Sequence, residues 1–366
     1  EPRRVEFRVS RHGPVFHIDE ERGIAYALRS KLQEPGTAEY LGGLRLDQVE
    51  SVGQCLEESA YLKSPPTNLV CADADGNVGW TIAALSPRRN GWHGRLPVPG
   101  TGAFEWEGFR GDLPRAMNPE EGFLATANNN THPPDYDPPL FFESGSRRYR
   151  RYERIRELLA SGSGFTRDDM RRILNDSLNT EAVEMRPRFE GWVAGSAAVE
   201  RARQAVASWD GVMKKDSAAA ALYWEWRKAG GLDADSQPGV EAALSEAVDS
   251  VTSSQGPDES AWRWGRIHRS DFPHPLLGDF DVASVERDGG GGTVNATGAV
   301  YRLVTDFSDL DRSLAIIAPG QSGQPGSPYY DNLLEMWVKG EMFELPYSRE
   351  AVEKAAAHRL VLKPEG

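Results

Sequence analysis

The sequence predicts a mixed α/β (α+β) protein built on antiparallel sheet, and three observations carry that expectation. Residues 4–30 alternate apolar and charged side chains in short runs: Val5, Phe7, Val9, then Val15, Phe16, Ile18, then Ile24, Tyr26, Leu28. Residues 166–251 instead place apolar side chains at three- and four-residue steps, the helical period. The last third returns to short strand-like runs, 281–286, 294–296, 300–306 and 314–318. Strands joined by turns this short pair antiparallel, because a parallel connection needs a dozen or more residues.

Composition narrows the function. The chain has 366 residues, enough for about two domains, and a formal net charge of −13. A chain this acidic lacks the basic surface that phosphate binding requires, so neither a nucleic acid nor an anionic membrane is an expected partner. No apolar run reaches the roughly 18 residues of a membrane-spanning helix. The two cysteines, Cys55 and Cys71, show no metal-ligand spacing; they read as one disulfide or two buried thiols.

In order along the chain, 4–30 form a small meander, with His12 before Gly13-Pro14 as a turn residue at its edge. Asp47-x-x-Glu50 reads as a capping box for a helix with Val49, Val52, Leu56 and Ala60 on one face, ended by Ser64-Pro65-Pro66. Strands at 67–71 and 78–85 flank Asp73-Ala74-Asp75-Gly76-Asn77. That acidic turn lacks the closing Glu of an EF-hand loop, so a hairpin turn is expected rather than a calcium site. Residues 86–121, rich in Gly, Pro and Trp, read as a long irregular segment of the functional or wrapping kind.

The stretch Gly122-Phe-Leu-Ala-Thr-Ala-Asn128-Asn129-Asn130 runs strand-forming residues into three amides, and the prolines at 133, 134, 138 and 139 forbid regular structure beyond it. A carboxamide at a strand end can hold an oxyanion without itself titrating; the same run also suits a plain turn. A helix follows over 147–160 with the stripe Tyr149, Tyr152, Ile155, Leu158 and Leu159. Arg151 lies about 40° from that stripe at 100° per residue. It therefore needs a partner, either a functional group or a structural carboxylate, whereas Arg147, Arg150 and Arg154 read as solvated charges. Thr166-x-x-Asp169 caps the next helix, helices follow over 197–209, 217–229 and 240–251, and Tyr223-Trp224-Glu225-Trp226 reads as core. Gly289 to Gly292 lacks the Lys-Ser/Thr of a phosphate loop. Residues 332–339 read as a closing helix. Neither a G-x-S-x-G elbow nor a metal constellation is present.

Gly122 to Asn129, followed by a Pro- and Tyr-bearing loop and Arg151-x-x-Arg154-Ile155-x-x-Leu158-Leu159, resembles the penicillin acylase (penicillin amidase) family of N-terminal-nucleophile hydrolases. Further matches keep the family order: His12-Gly13-Pro14-Val15, Ala72-Asp73-x-x-Gly76-Asn77-x-Gly79, Leu96-Pro97-Val98-Pro99-Gly100, Trp209-Asp210-Gly211, Trp264-Gly265-x-x-His268, Thr293-Val294-Asn295 and Pro319-Gly320-Gln321-Ser322-Gly323. Each is weak alone; their joint order is specific.

The resemblance implies a four-layer αββα fold, incomplete in this chain: 1–145 sheet-rich with covering loops, 146–275 mainly helical, 276–366 the last strands and closing helix of the same core. It implies amide hydrolysis by an N-terminal Ser whose own α-amino group takes the hydroxyl proton, on a small acyl amide such as a penicillin or N-acyl lactone. By match to the family motifs, Asn128 is the oxyanion-hole asparagine, Arg151 its supporting arginine, and Thr67 an acyl-pocket side chain. The chain starts at Glu1, so the Ser and the small chain are expected on another segment of a precursor. No metal ligands or cofactor are expected here. A structural calcium in the complete enzyme stays open, with Leu140 standing near where an acidic ligand would fall. The family implies a secreted or periplasmic location. The alternatives are a catalytically silent member, and a carbohydrate-binding protein resting on Trp92, Trp106 and Trp224.

Overall fold

The computed structural model describes residues 5–38, 40–136, 140 and 149–364, and the chain divides into two compact units, 1–147 and 148–366. In the first, β1 (Val9–Ser10), β2 (Gly13–Asp19) and β3 (Ile24–Ala27) make the expected antiparallel meander.

The following helix, α1 (Val52–Glu58), starts at Ser51 and not at the predicted Asp47 box. Residues Leu41–Gln48 form a 3-10 stretch that contains Asp47. A cap residue must be extended, and Ser51 is, with φ −148° and ψ 160°. Its Oγ accepts the Gln54 N–H at 3.3 Å while Gln54 Oε1 accepts the Glu50 N–H at 2.8 Å, which satisfies two otherwise orphaned donors.

Helix α1 packs on a sheet of β4 (Thr67–Ala72), β5 (Val78–Ala83) and β8 (Arg115–Met117), ordered β4-β5-β8. The intervening β6 (Pro87–Arg89) and β7 (Trp106–Phe109) pair with each other, so the segment read as irregular contains a small ribbon. Val52, Cys55, Leu56 and Cys71 form the buried centre, and Cys55 and Cys71 are bridged. Closing a loop of this length stabilises by about 3 kcal/mol in the chain-entropy account. The strand expected to lead into the asparagines is absent: 123–126 have no strand assignment, and Gly122 has φ +74°. Propensity favours extended backbone but cannot supply a neighbour to take its hydrogen bonds.

In the second unit α2 (Arg150–Ala160), α3 (Arg167–Leu174), α4 (Thr180–Met185), α5 (Ala197–Ala207), α6 (Ala218–Lys228) and α7 (Gln237–Gln255) follow in order. The Thr166 box is formed as predicted, Thr166 Oγ1 accepting the Asp169 N–H and Asp169 Oδ2 the Thr166 N–H. Phe189, Tyr223, Trp226, Leu244 and Val251 are buried completely, with the Phe189 and Trp226 rings edge to face at 4.9 Å. Strand β9 (Arg269–Phe272) pairs with β10 (Val282–Glu286); β11 (Tyr301–Val304) and β12 (Leu314–Ile317) form a second ladder, which β13 (Phe343–Glu344) extends. Between β12 and β13 comes α8 (Leu334–Val338), the expected closing helix, and α9 (Arg349–Ala355) follows. Residues 294–296, predicted as a strand, are a loop held by side-chain bonds described below. Among the described residues no helix is long and apolar enough to cross a membrane.

Gly79 stands where β5 meets α1, and a Cβ there would lie 2.4 Å from Val52 Cγ1 and 3.2 Å from Leu56 Cδ1. Overpacking of this kind costs about 1–3 kcal/mol. Gly79→Ala is accordingly expected to lower the urea midpoint with an unchanged m-value; an equal or higher midpoint would show that α1 moves aside freely.

Candidate active site

The hairpin β4–β5 positions the first candidate residue. Thr67 opens β4 opposite Ala83; it is half-buried, and its Oγ1 donates to Pro65 O at 3.1 Å. At the far end, Asp73 holds the hairpin turn and the helix together. Its carboxylate accepts N–H donors from Val52 (3.1 Å), Asp75 (3.2 Å) and Asn77 (2.9 Å), and both its oxygens take the Asn77 amide at 3.0 Å. The acidic turn is thus a hairpin turn whose carboxylate faces donors. Among the described residues no cluster of three His, Cys, Asp or Glu could hold a metal.

The three amides occupy a turn, not a strand end. Asn129, 6% exposed, accepts the Ala127 N–H on Oδ1 at 2.9 Å and donates Nδ2 to Asn130 O at 3.0 Å. Asn130 Oδ1 accepts the His132 N–H at 3.2 Å. Two of the three carboxamides therefore shape the backbone. Asn128 is exposed at the apex with φ +60°, a left-handed conformation that Asn tolerates better than most side chains. The turn is joined to the hairpin next to Thr67, because Thr131 Oγ1 donates to Asn68 Oδ1 at 3.1 Å and Trp80 Nε1 donates to the same oxygen at 3.0 Å. The Asn128 turn is thus tied to β4 through Asn68, the residue after Thr67, and sequence reading missed both fasteners, Asn68 and Thr131. The Asn in Thr67-Asn68 was the available signal, since an amide inside a strand asks for a partner.

Arg151 belongs to the second unit, half-buried on α2. Its neighbours correct the expectation of solvated charges. Arg150 pairs with Glu184 at 2.9 Å and Glu181 at 3.5 Å, and Arg154 grips Asp176 through Nε at 3.2 Å and Nη2 at 2.9 Å. Their side chains are only 16% and 15% exposed. Both arginines lie against facing carboxylates that periodicity alone does not reveal. Arg147 lies outside the described residues.

The motif residues Trp264, His268 and Asn295 are engaged in packing and hydrogen bonds within the second unit. Trp264 Nε1 donates to Gly289 O at 2.8 Å and its ring stacks on His268 at 5.1 Å. His268 Nδ1 lies 3.2 Å from Arg287 O and Nε2 lies 3.1 Å from Thr297 Oγ1; a carbonyl only accepts, so Nδ1 carries the proton and Nε2 takes the hydroxyl. Burial lowers the His268 pKa, which favours that neutral ring. Arg287 and Arg302, both buried, donate to one oxygen, Asn295 Oδ1, at 2.6 and 2.7 Å. Burial first, then Arg302, pushes the Arg287 pKa down to about 10. This network replaces the strand expected at 294–296, and the glycines beside it give room: a Cβ on Gly289 would stand 2.1 Å from Asn295 O.

The other candidates resolve likewise. His12 Nε2 lies 2.8 Å from Glu105 Oε1, which Arg11 also meets at 3.1 Å, a structural cluster at the meander edge. Trp92 and Trp106 flank the Arg89 guanidinium at 5.3 and 5.8 Å, and Trp224 packs on Trp264 at 5.2 Å. Each of these indoles is engaged with protein partners.

A model of the family described as penicillin amidase matches residues 1–354. The chain is 28% identical to penicillin acylase 2 proenzyme of Pseudomonas sp. (strain SE83), over 96% of this chain and 53% of that protein. It is 27% identical to the acyl-homoserine lactone acylase QuiP of Pseudomonas syringae pv. syringae, over 87% of this chain and 49% of that one. The chain thus spans about half the length of these relatives. Among solved structures, a thermostable penicillin G acylase from Alcaligenes faecalis superposes with a TM-score of 0.72 at 18% identity, over 98% of this chain and 79% of that chain, so the fold is that of the N-terminal-nucleophile hydrolases.

The Val52 N–H, then those of Asn77 and Asp75, hold the Asp73 carboxyl below the usual carboxylate range. A carboxyl depressed in the folded state contributes stability above its unfolded pKa, near 3.9, and loses it as pH falls through the folded value. Asp73→Asn is therefore expected to be less stable than the parent at pH 7, with the gap closing below about pH 4. A gap that is constant with pH, measured by denaturant melts, would contradict this role for Asp73.

Proposed function

Since the chain belongs to the penicillin amidase family, we propose that it is the part of an amide-bond acylase that carries the oxyanion asparagine and an acyl-pocket wall. The observation that carries this reading is the turn at 127–132: Asn129 and Asn130 fix the backbone, and Asn128 stands exposed at its apex. The nucleophile is an N-terminal Ser on a segment not contained in these residues.

In the proposed reaction the Ser Oγ attacks the amide carbonyl carbon as its proton passes to the Ser α-amine. The carbonyl π electrons move to oxygen, where Asn128 Nδ2 donates to the resulting oxyanion. Collapse expels the amine, which takes the proton; water then attacks the ester carbon while passing a proton to the α-amine, and the second collapse returns that proton to the departing Ser Oγ and frees the carboxylic acid. Thr67 lines the acyl side, and Arg151 is the motif arginine carried on α2. The substrate is a small acyl amide, the class to which penicillins and acyl-homoserine lactones belong. A secreted or periplasmic protein fits the Cys55–Cys71 bridge, because disulfides persist in oxidising compartments.

Denaturing mass spectrometry with N-terminal sequencing of natively purified protein is expected to reveal a co-purifying chain that begins with Ser; Glu1 as the sole N-terminus, with no turnover of any acyl amide, would leave a catalytically silent protein. In the complete enzyme Asn128→Ala is expected to lower kcat about a hundredfold or more with KM little changed. Arg151→Ala is expected to reduce kcat as well. Full activity with a lower melting temperature would instead make Arg151 a structural ion-pair residue.

A further inference from the structure

We propose that Asn68 and Thr131 are positioning residues that set the location of the Asn128 carboxamide, an inference that rests on the acylase reading above. Asn68 follows Thr67 on β4, its backbone opposite Ile82. Its Oδ1 accepts from Trp80 Nε1 at 3.0 Å and from Thr131 Oγ1 at 3.1 Å. An indole N–H only donates, so the Trp80 bond fixes the orientation of the Asn68 amide and turns its oxygen, not its NH₂, toward the turn. The Thr131 hydroxyl then anchors the turn to the sheet three residues beyond Asn128.

The anchor reaches Asn128 because little between them can yield. Ala127 N–H to Asn129 Oδ1 at 2.9 Å, Asn129 Nδ2 to Asn130 O at 3.0 Å and His132 N–H to Asn130 Oδ1 at 3.2 Å brace successive residues of the same turn. Asn129, next to the apex, is buried, so the turn has a fixed floor as well as a fixed end. An oxyanion donor must lie within about 2.7–3.1 Å of the developing charge, and a displacement of about 1 Å can cost about a hundredfold in rate. Asn68 and Thr131 act on the reaction only through Asn128.

The test uses the complete, Ser-initiated enzyme and steady-state kinetics. Thr131→Val keeps the side-chain shape and removes the donor; kcat is expected to fall about tenfold or more with KM changed less than about twofold, and Thr131→Ser is expected to restore kcat. Asn68→Leu is expected to show the same split. The double variant Thr131→Val with Asn128→Ala is expected to be no slower than Asn128→Ala alone, since nothing is left to position. Full kcat in Thr131→Val, a loss that Thr131→Ser does not restore, or losses that multiply in the double variant would each overturn the positioning role. That failure is separable from failure of the acylase reading: impaired Asn128→Ala leaves the reading standing, whereas Asn128→Ala at full kcat removes both.

Discussion

Strands β4 and β5 pair from Thr67 opposite Ala83 to Ala72 opposite Val78, and the first unit depends on that register. Side chains alternate faces along a strand, and a slip by one residue would exchange them. In the observed register Leu69 and Cys71 join the cluster with α1, and Cys71 is bridged to Cys55. Asn68 falls on the opposite face, diagonal to Trp80 and within reach of its indole N–H. One ladder therefore holds a helix on one side and the asparagine turn on the other. Gly79 is part of the same constraint, because the space it leaves is taken by Val52.

The polar interior of the second unit follows a different rule. Arg287 and Arg302 are buried and converge on the neutral oxygen of Asn295, and Arg302 also meets Asn175 Oδ1 at 2.7 Å. Buried charge is costly unless hydrogen-bonded, and here carboxamides, backbone carbonyls and the Trp337 ring, 4.3 Å from the Arg287 guanidinium, supply the contacts. The motif around Thr293-Val294-Asn295 is thus explained by the arginines it must satisfy. A His, two Arg and several Gly close together would suggest chemistry from their types alone, yet each is engaged in holding the fold.

Much of the fold was legible from pattern. The meander, the β4–β5 hairpin, the Thr166 box and the helices of the second unit follow from alternation, capping and the 3.6-residue period, which are local. The Asn128 stretch was legible as a place of interest for a local reason too, three amides before a run of prolines. The errors have one origin. For the Asp47 box, the strand before the asparagines, the strand at 294–296 and the solvated Arg150 and Arg154, the local pattern does not contain the partner that each group meets. Ser51 capped in place of Asp47 because Val49 to Ser51 leave the 3-10 stretch extended, and Arg154 met Asp176, 22 residues away.

By itself the sequence determined the class of the fold, the positions of most elements and the location of the amide run, because period, caps and turn residues act over a few residues. Tertiary structure alone decided that Cys55 bridges Cys71, that Asp73 caps α1 from the hairpin, and that Asn68 joins Trp80 to Thr131. The last bond spans 63 positions. Hydrogen bonds and disulfides are short-range in space and indifferent to separation along the chain, so only the folded register could bring those groups within reach.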